Sequence, residues 1–438
     1  MRKILLTLLT LGSLMASSLP KYYTKTLQNG LEVVAIPLHN DSDVISTDIF
    51  YKVGSRNEVM GKTGIAHMLE HMNFKSTKNL KAGEFDHIVK GFGGVNNAST
   101  SFDYTHYFIK SSSQNMGKSM HLFAELMANL KLDDKEFQTE REVVAEERRW
   151  RTDNSPMGYL YFRMFNNAYL YHPYHWTPIG FMNDIKTWTI DDIRKFHQTY
   201  YQPNNAILIV TGDIEPEAVF QKAKEEFREI KNHTEVPPVK FVEPTQDGPK
   251  RVILYKESQV EMLAIAFHIP NFQSPDQVAL SVLSEILYSG KSSRLYQDLI
   301  QKKQLANQIY AYNMENSDPG LFIFLAVCNP GVKAEDVEKE IIAQIEKIKK
   351  EGVSQKELDK VKINTKADFI YSLESSSSVA NLFGSYLVRG DIEPLLHYEE
   401  RINAITADTV QKVAQKYFDF DHSTTVILRS KPKEEAKK

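Results

Sequence analysis

Two periods of apolar residues run through the chain. Leu31–Pro37 and Ile45–Tyr51 read as neighbouring strands, whereas Met116–Leu130 and Ile193–Tyr200 place apolar residues every three or four positions, as an amphipathic helix does. Lys333–Glu351 follows the same helical period, with its Lys and Glu residues on a solvated face. Runs of strands and runs of helices, rather than strict alternation, predict an α+β fold with helices packed on a largely antiparallel sheet.

The pattern occurs twice. Thr189–Tyr201 and Thr406–Phe418 lie 217 residues apart and agree at five of 13 positions: Thr189/Thr406, Asp191/Asp408, Lys195/Lys412, Gln198/Gln415 and Tyr200/Tyr417. Each is followed by a β-prone run, Ala206–Val210 or Thr425–Leu428. The openings correspond as well. Asp48–Val53 leads to a helix near Gly64–Asn73, and Leu263–Ile269 to one near Asp276–Tyr288. The sequence therefore predicts two homologous halves, 19–231 and 251–438, joined by a polar linker, 232–250, that contains Pro237, Pro238, Pro244 and Asp247-Gly248. Lys431–Lys438 reads as a charged, frayed end.

Arg2 and Lys3, the apolar run Ile4–Met15 and the small residues Ala16-Ser17-Ser18 read as a secretory signal peptide, 1–18. That predicts a periplasmic or secreted protein. No later apolar run is long enough to span a membrane. At 438 residues and 42% hydrophobic, the chain can bury large cores without disulfides, and Cys328, its one cysteine, reads as a buried strand residue. With 53 basic and 56 acidic residues, the formal charge of −3 excludes the basic field that nucleic-acid binding needs.

The candidate chemistry begins at His67-Met-Leu-Glu70-His71. Histidines four apart share one helix face and can hold one zinc ion, with Glu70 beside that face to reach a bound water. The spacing is the inverzincin signature. Ile65, Met68, Leu69, Met72 and Phe74 predict that this helix lies inside a domain. A third ligand is needed, and Glu140-Arg-Glu-Val-Val-Ala-Glu-Glu147 offers two carboxylates. On a helix, Glu140, Val143, Val144 and Glu147 share one face, predicted to point inward, where unpaired charge is costly. Taken alone, the stretch with Arg148, Arg149 and Arg151 behind it would read as a solvated charged helix.

These motifs together resemble the pitrilysin/insulinase zinc metallopeptidases, in particular their shorter branch with the processing peptidases. Gly93–Thr100 with Asp103, Thr105 and Tyr107 resembles the family's substrate-side edge strand. His172-Pro-Tyr174, Pro178-Ile-Gly180, Tyr201–Asn204, Gly212-Asp213 and Ser292–Tyr296 are similar to further landmarks. The resemblance implies one zinc ion per chain, held by His67, His71 and Glu147. It also implies Glu70 as general base, Glu140 as a carboxylate orienting a ligand, and Asn97, Ala98 and Thr100 on a strand that accepts peptide substrate.

The second half departs from that chemistry. Ser281, Ser284 and Glu285 stand where the first half has His67, Glu70 and His71. The arginine and tyrosine that active relatives carry in this half align with Ile300 and Asn307, with Tyr310 and Tyr312 nearby. The chain is therefore expected to be the zinc-bearing subunit of a clamshell heterodimer, with a homologous subunit supplying that pair, or else a homodimer. A catalytically silent scaffold subunit is the alternative, although scaffolding does not require His67, Glu70, His71 and Glu147 together.

Overall fold

The computed structural model describes residues 19–38 and 42–431, so the segment 1–18, read from its pattern as a signal peptide, and the tail beyond residue 431 lie outside the described residues. A six-stranded sheet is built from β1 (Tyr23–Thr26), β2 (Glu32–Pro37), β3 (Val44–Tyr51), β4 (Val95–Thr100), β5 (Thr105–Ser112) and β6 (Ala206–Gly212), in the order β1-β2-β6-β3-β5-β4. A five-stranded sheet follows from β7 (Lys250–Tyr255), β8 (Met262–His268), β9 (Ala306–Asn313), β10 (Leu321–Cys328) and β11 (Ser423–Arg429), in the order β7-β11-β8-β10-β9. In each sheet one pair is parallel, β2–β6 or β7–β11, and the other pairs are antiparallel. β2-β6-β3-β5-β4 thus has the topology of β7-β11-β8-β10-β9, and the repeat seen in sequence is a repeat of fold. β4 and β9 are edge strands at equivalent positions.

β6 and β10 are almost wholly apolar because both of their faces are covered, whereas β3 carries Ser46, Thr47 and Asp48. β6 (AILIVTG) and β10 (LFIFLAVC) are buried at every position, Cys328 included. One face of each sheet packs on helices of its own half. The other face is covered by a helix from the opposite half. Helix Pro156–Ala168 lays Leu160, Met164 and Phe165 on Ala264, Leu325 and Val426 of the second sheet. Helix Ser376–Leu387 lays Val379, Ala380 and Phe383 on Val34, Phe50 and Ile209 of the first. The halves are therefore interlocked through exchanged helices, an arrangement that local pattern does not encode.

Gly384 permits the second of these contacts. A Cβ at this helical position would sit 2.2 Å from Phe50 Cζ. Alanine normally gains about 1 kcal/mol over glycine inside a helix, but here the backbone of one half must approach the ring of the other. Gly384→Val is expected to cost roughly 3 kcal/mol through overpacking, read as a lower urea midpoint. An unchanged midpoint would mean that the helix is free to shift outward.

Candidate metal centre

Helix Ile65–Asn73 carries the motif. Ile65, Met68, Leu69 and Met72 are buried in the first core, which turns the opposite face toward a cleft. His67 and His71 project from that face with ring centroids 4.7 Å apart and planes at 74°. Helix Asp134–Arg148 packs alongside and brings in Glu147. Glu147 Oε2 lies 3.7 Å from His67 Nε2 and 3.4 Å from His71 Nε2, and one ligand atom from each of the three residues lies within 4.8 Å of the other two. Ligands about 2.1 Å from a tetrahedral ion stand roughly 3.4 Å apart, so two imidazole nitrogens and a carboxylate oxygen here fit zinc in chemistry and in spacing.

The surroundings prepare those donors. Glu140 Oε1 accepts from His71 Nδ1 at 2.8 Å, which leaves Nε2 free to ligate, and Glu140 Oε2 pairs with Lys75 Nζ at 2.5 Å. An outer carboxylate of this kind orients an imidazole ligand and raises its basicity. Burial holds His67 down near 4, keeping it neutral. Burial also opposes charge on His71, but hydrogen bonds to Glu140 and Glu147 outweigh it and lift that group to about 9. The hydrogen bond from His71 holds the Glu147 carboxyl below its usual value. Glu70 lines the same cleft, where burial raises its pKa and the Thr100 hydroxyl, which donates to its Oε2, works against that rise.

The cleft encloses about 630 Å³ and is floored by Asn97, Ala98, Ser99 and Thr100 of edge strand β4. All eight residues singled out in the sequence therefore gather around it: His67, Glu70, His71, Asn97, Ala98, Thr100 and Glu147 line it, and Glu140 stands behind His71. One sequence expectation is corrected. Val144 is buried with Glu140, but Val143 is 47% exposed, because the inward stripe of this helix is narrower than the wheel suggested. The three arginines behind it also do not share one solvated face. Arg148 is buried, stacked 3.9 Å over Phe162 and donating to Gly180 O; Arg149 pairs outward with Glu146; Arg151 turns into the cleft.

In the second half, Ser281, Ser284 and Glu285 line the equivalent cavity, where the Ser284 hydroxyl is tied to Ala311 O at 2.6 Å. Ile300 packs against the second core, Asn307 is exposed on β9, Tyr310 lies against Tyr288, and Tyr312 bonds to Tyr161 in the cleft wall.

Sequence reasoning overlooked Glu58. It is 2% exposed and sits beneath the start of the motif helix, which has no side-chain cap of its own and begins from Gly64 at φ 85°. Its carboxylate accepts from Gly64 N (2.8 Å), Ala66 N (2.8 Å) and Trp176 Nε1 (2.7 Å). Burial pushes its pKa up to about 8, against those three donors, and the positive end of the helix also favours the anion. Glu58→Gln must turn an NH2 toward an N–H, leaving a buried donor unpaired at about 1–3 kcal/mol at the end of the helix that carries His67. We expect a lower melting temperature and zinc affinity weakened about tenfold, measured by competition with a chelator. Unchanged zinc affinity would limit Glu58 to a folding role.

Two imidazoles, a carboxylate and a neighbouring glutamate on this doubled scaffold define the class, a zinc-peptidase fold. The family model "Insulinase (Peptidase family M16)" matches residues 33–170, and "Peptidase M16 inactive domain" matches residues 187–365, the region without the ligand residues. Zinc protease PqqE of Helicobacter pylori is 56% identical over 96% of both chains. A probable mitochondrial-processing peptidase subunit beta of Arabidopsis thaliana is 26% identical over 94% of this chain and 79% of its own. Among solved structures, a protease from Helicobacter pylori superposes with a TM-score of 0.93 at 56% identity, covering 94% of this chain and all (100%) of that one. The periplasmic protease PqqL of Escherichia coli shares the fold, with a TM-score of 0.76 at 22% identity over 94% of this chain and 48% of its own. The chain belongs to peptidase family M16, the insulinase family.

Proposed function

We propose that this protein is a zinc-dependent endopeptidase that cleaves peptides or extended protein segments, in the periplasm or outside the cell. One observation carries the reading: His67, His71 and Glu147 converge with Glu70 in a single cleft beside an edge strand. Zinc held by the three ligands, one ion per chain, supplies Lewis-acid activation of water and of the peptide carbonyl.

The chain's own groups do the rest. β4 pairs with β5 on one side, and the backbone groups of Ala98 and Thr100, which alternate with those of Asn97 and Ser99 directed at β5, are offered at its outer edge to an extended substrate, with Asn97 between them lining the cleft. Strand addition fixes the peptide's direction and brings successive carbonyls past the ligand set. Glu70 takes the proton from the attacking water and passes it to the leaving amine; its raised pKa suits both transfers. The Thr100 hydroxyl holds one Glu70 oxygen, which leaves the other for the proton. Glu140 keeps His71 in the ligating tautomer.

The cleft is lined by residues of the first half, between His67 and Ile179, so the same reading has a homologous subunit close over it, or a second copy of this chain. The export reading rests on the pattern of residues 1–18. Among the described residues, no helix is long and apolar enough to cross a membrane. The test is purification with zinc, followed by incubation with an unstructured peptide and mass mapping of the products. Internal cuts abolished by a chelator and restored by zinc are expected. Intact peptide with the zinc-loaded chain, alone and with its homologous partner, would reject the reading.

A further inference from the structure

Hydrolysis of a peptide bond places negative charge on the carbonyl oxygen, and a preorganised donor at that oxygen is commonly worth about 10²–10³ in rate. Among the described residues that line the cleft, Arg151 carries the one guanidinium or ammonium group. It stands on the π-helical turn Arg149–Asp153, directly after the helix that supplies Glu147. Its Nε lies 3.0 Å from Glu147 Oε1, while Glu147 Oε2 faces both imidazoles. An ion pair therefore keeps one end of the guanidinium beside the ligand set. Its two terminal nitrogens have no polar partner among the described residues, and the side chain is 63% exposed. The neighbouring arginines are already committed. Arg148 is held by Asp153, Gly180 O and the Phe162 ring, and Arg149 by Glu146 on the outer surface.

We propose that Arg151 is a further catalytic residue, whose free N–H groups receive the scissile carbonyl oxygen as it becomes an oxyanion. The inference rests on the peptidase reading of this cleft and deepens it. In this step the water oxygen bonds to the carbonyl carbon, the C=O π pair moves onto oxygen, and Glu70 takes the water proton. Arg151 donates hydrogen bonds only and neither gains nor loses a proton. The planar guanidinium fork can offer two N–H groups to one oxygen, a geometry that a lysine cannot reproduce. The cation comes from this chain, whichever subunit closes over the cleft.

The test compares Arg151→Met and Arg151→Lys with the parent in the assembly that cleaves peptide, with bound zinc measured in each. Arg151→Met is expected to lower kcat about 10²–10³-fold with KM within about threefold and zinc content unchanged. The Ki of a phosphinic peptide, a tetrahedral anion, should rise by a similar factor, as transition-state complementarity requires. Arg151→Lys should recover part of the loss. Two results overturn the proposal: kcat of the Met variant within about threefold of the parent, or a loss that vanishes once kcat is expressed per bound zinc, which would make Arg151 a support for Glu147. A parent that binds zinc yet cleaves nothing removes the peptidase reading itself, and this inference with it. Undiminished cleavage by the Met variant removes the inference alone.

Discussion

Glu70→Gln is expected to bind zinc as the parent does and to cleave peptide about 10²–10⁴-fold more slowly. The glutamine oxygen can still accept from Thr100, so the side chain stays in place and the helix is undisturbed. What disappears is the proton acceptor. An amide cannot take the water proton at neutral pH, and among the described residues no other carboxylate that lines the cleft is free, since Glu147 faces both imidazoles and Arg151. Zinc content, kcat and KM of the variant should be measured together. Loss of activity with zinc bound and KM little changed assigns Glu70 to chemistry. Activity near the parent's would show that another base operates and would remove the role given to Glu70.

His71→Ala should act by a different route, through loss of the ion. His71 is the centre of the cluster: Nε2 faces Glu147 at 3.4 Å and Nδ1 reaches Glu140 at 2.8 Å. Truncation removes one ligand of three and the hydrogen bond to Glu140 Oε1. Zinc affinity should fall by more than the roughly 10–100-fold typical of losing an outer partner, and cleavage should fall to background. Glu140→Gln, which removes the outer partner alone, should lie within that range. The metal-free fold should survive, because Lys75 still pairs with Glu140 and Arg151 with Glu147. Metal analysis beside circular dichroism decides the matter. A His71→Ala protein that keeps stoichiometric zinc would show that the ion binds elsewhere.

Much of the scaffold was legible before any coordinates. The strand Ile45–Tyr51 lies within β3, the helices around Met116–Leu130 and Lys333–Glu351 form nearly as read, and the repeat of Thr189–Tyr201 at Thr406–Phe418 appears as the same helix ahead of β6 and β11. These elements are long and strongly periodic, so neighbouring residues alone specify them. Val143 shows the limit. Its place on the helical wheel is correct, yet the width of the buried stripe depends on what packs against it, and there the helix meets solvent. Arg151 shows another. It has the sequence context of a solvated arginine, and the turn Arg149–Asp153 directs it into the cleft.

By itself the sequence determined that His67 and His71 share a face with Glu70 beside them, because a helix of 3.6 residues per turn leaves residues four apart no other arrangement. It also determined the doubled strand-and-helix pattern and the loss of ligand residues at Ser281, Ser284 and Glu285. Tertiary structure alone decided which of two carboxylates meets the imidazoles and which stands behind them. It also decided that Glu58 supports the motif helix and that each sheet is covered by the other half's helix. The reason is range. Local periodicity acts through bonds a few residues apart, whereas the carboxylate–imidazole and exchanged-helix contacts join side chains many tens of residues apart, and Glu58, though only six residues before Gly64, is set in place by Trp176 from 118 residues further on.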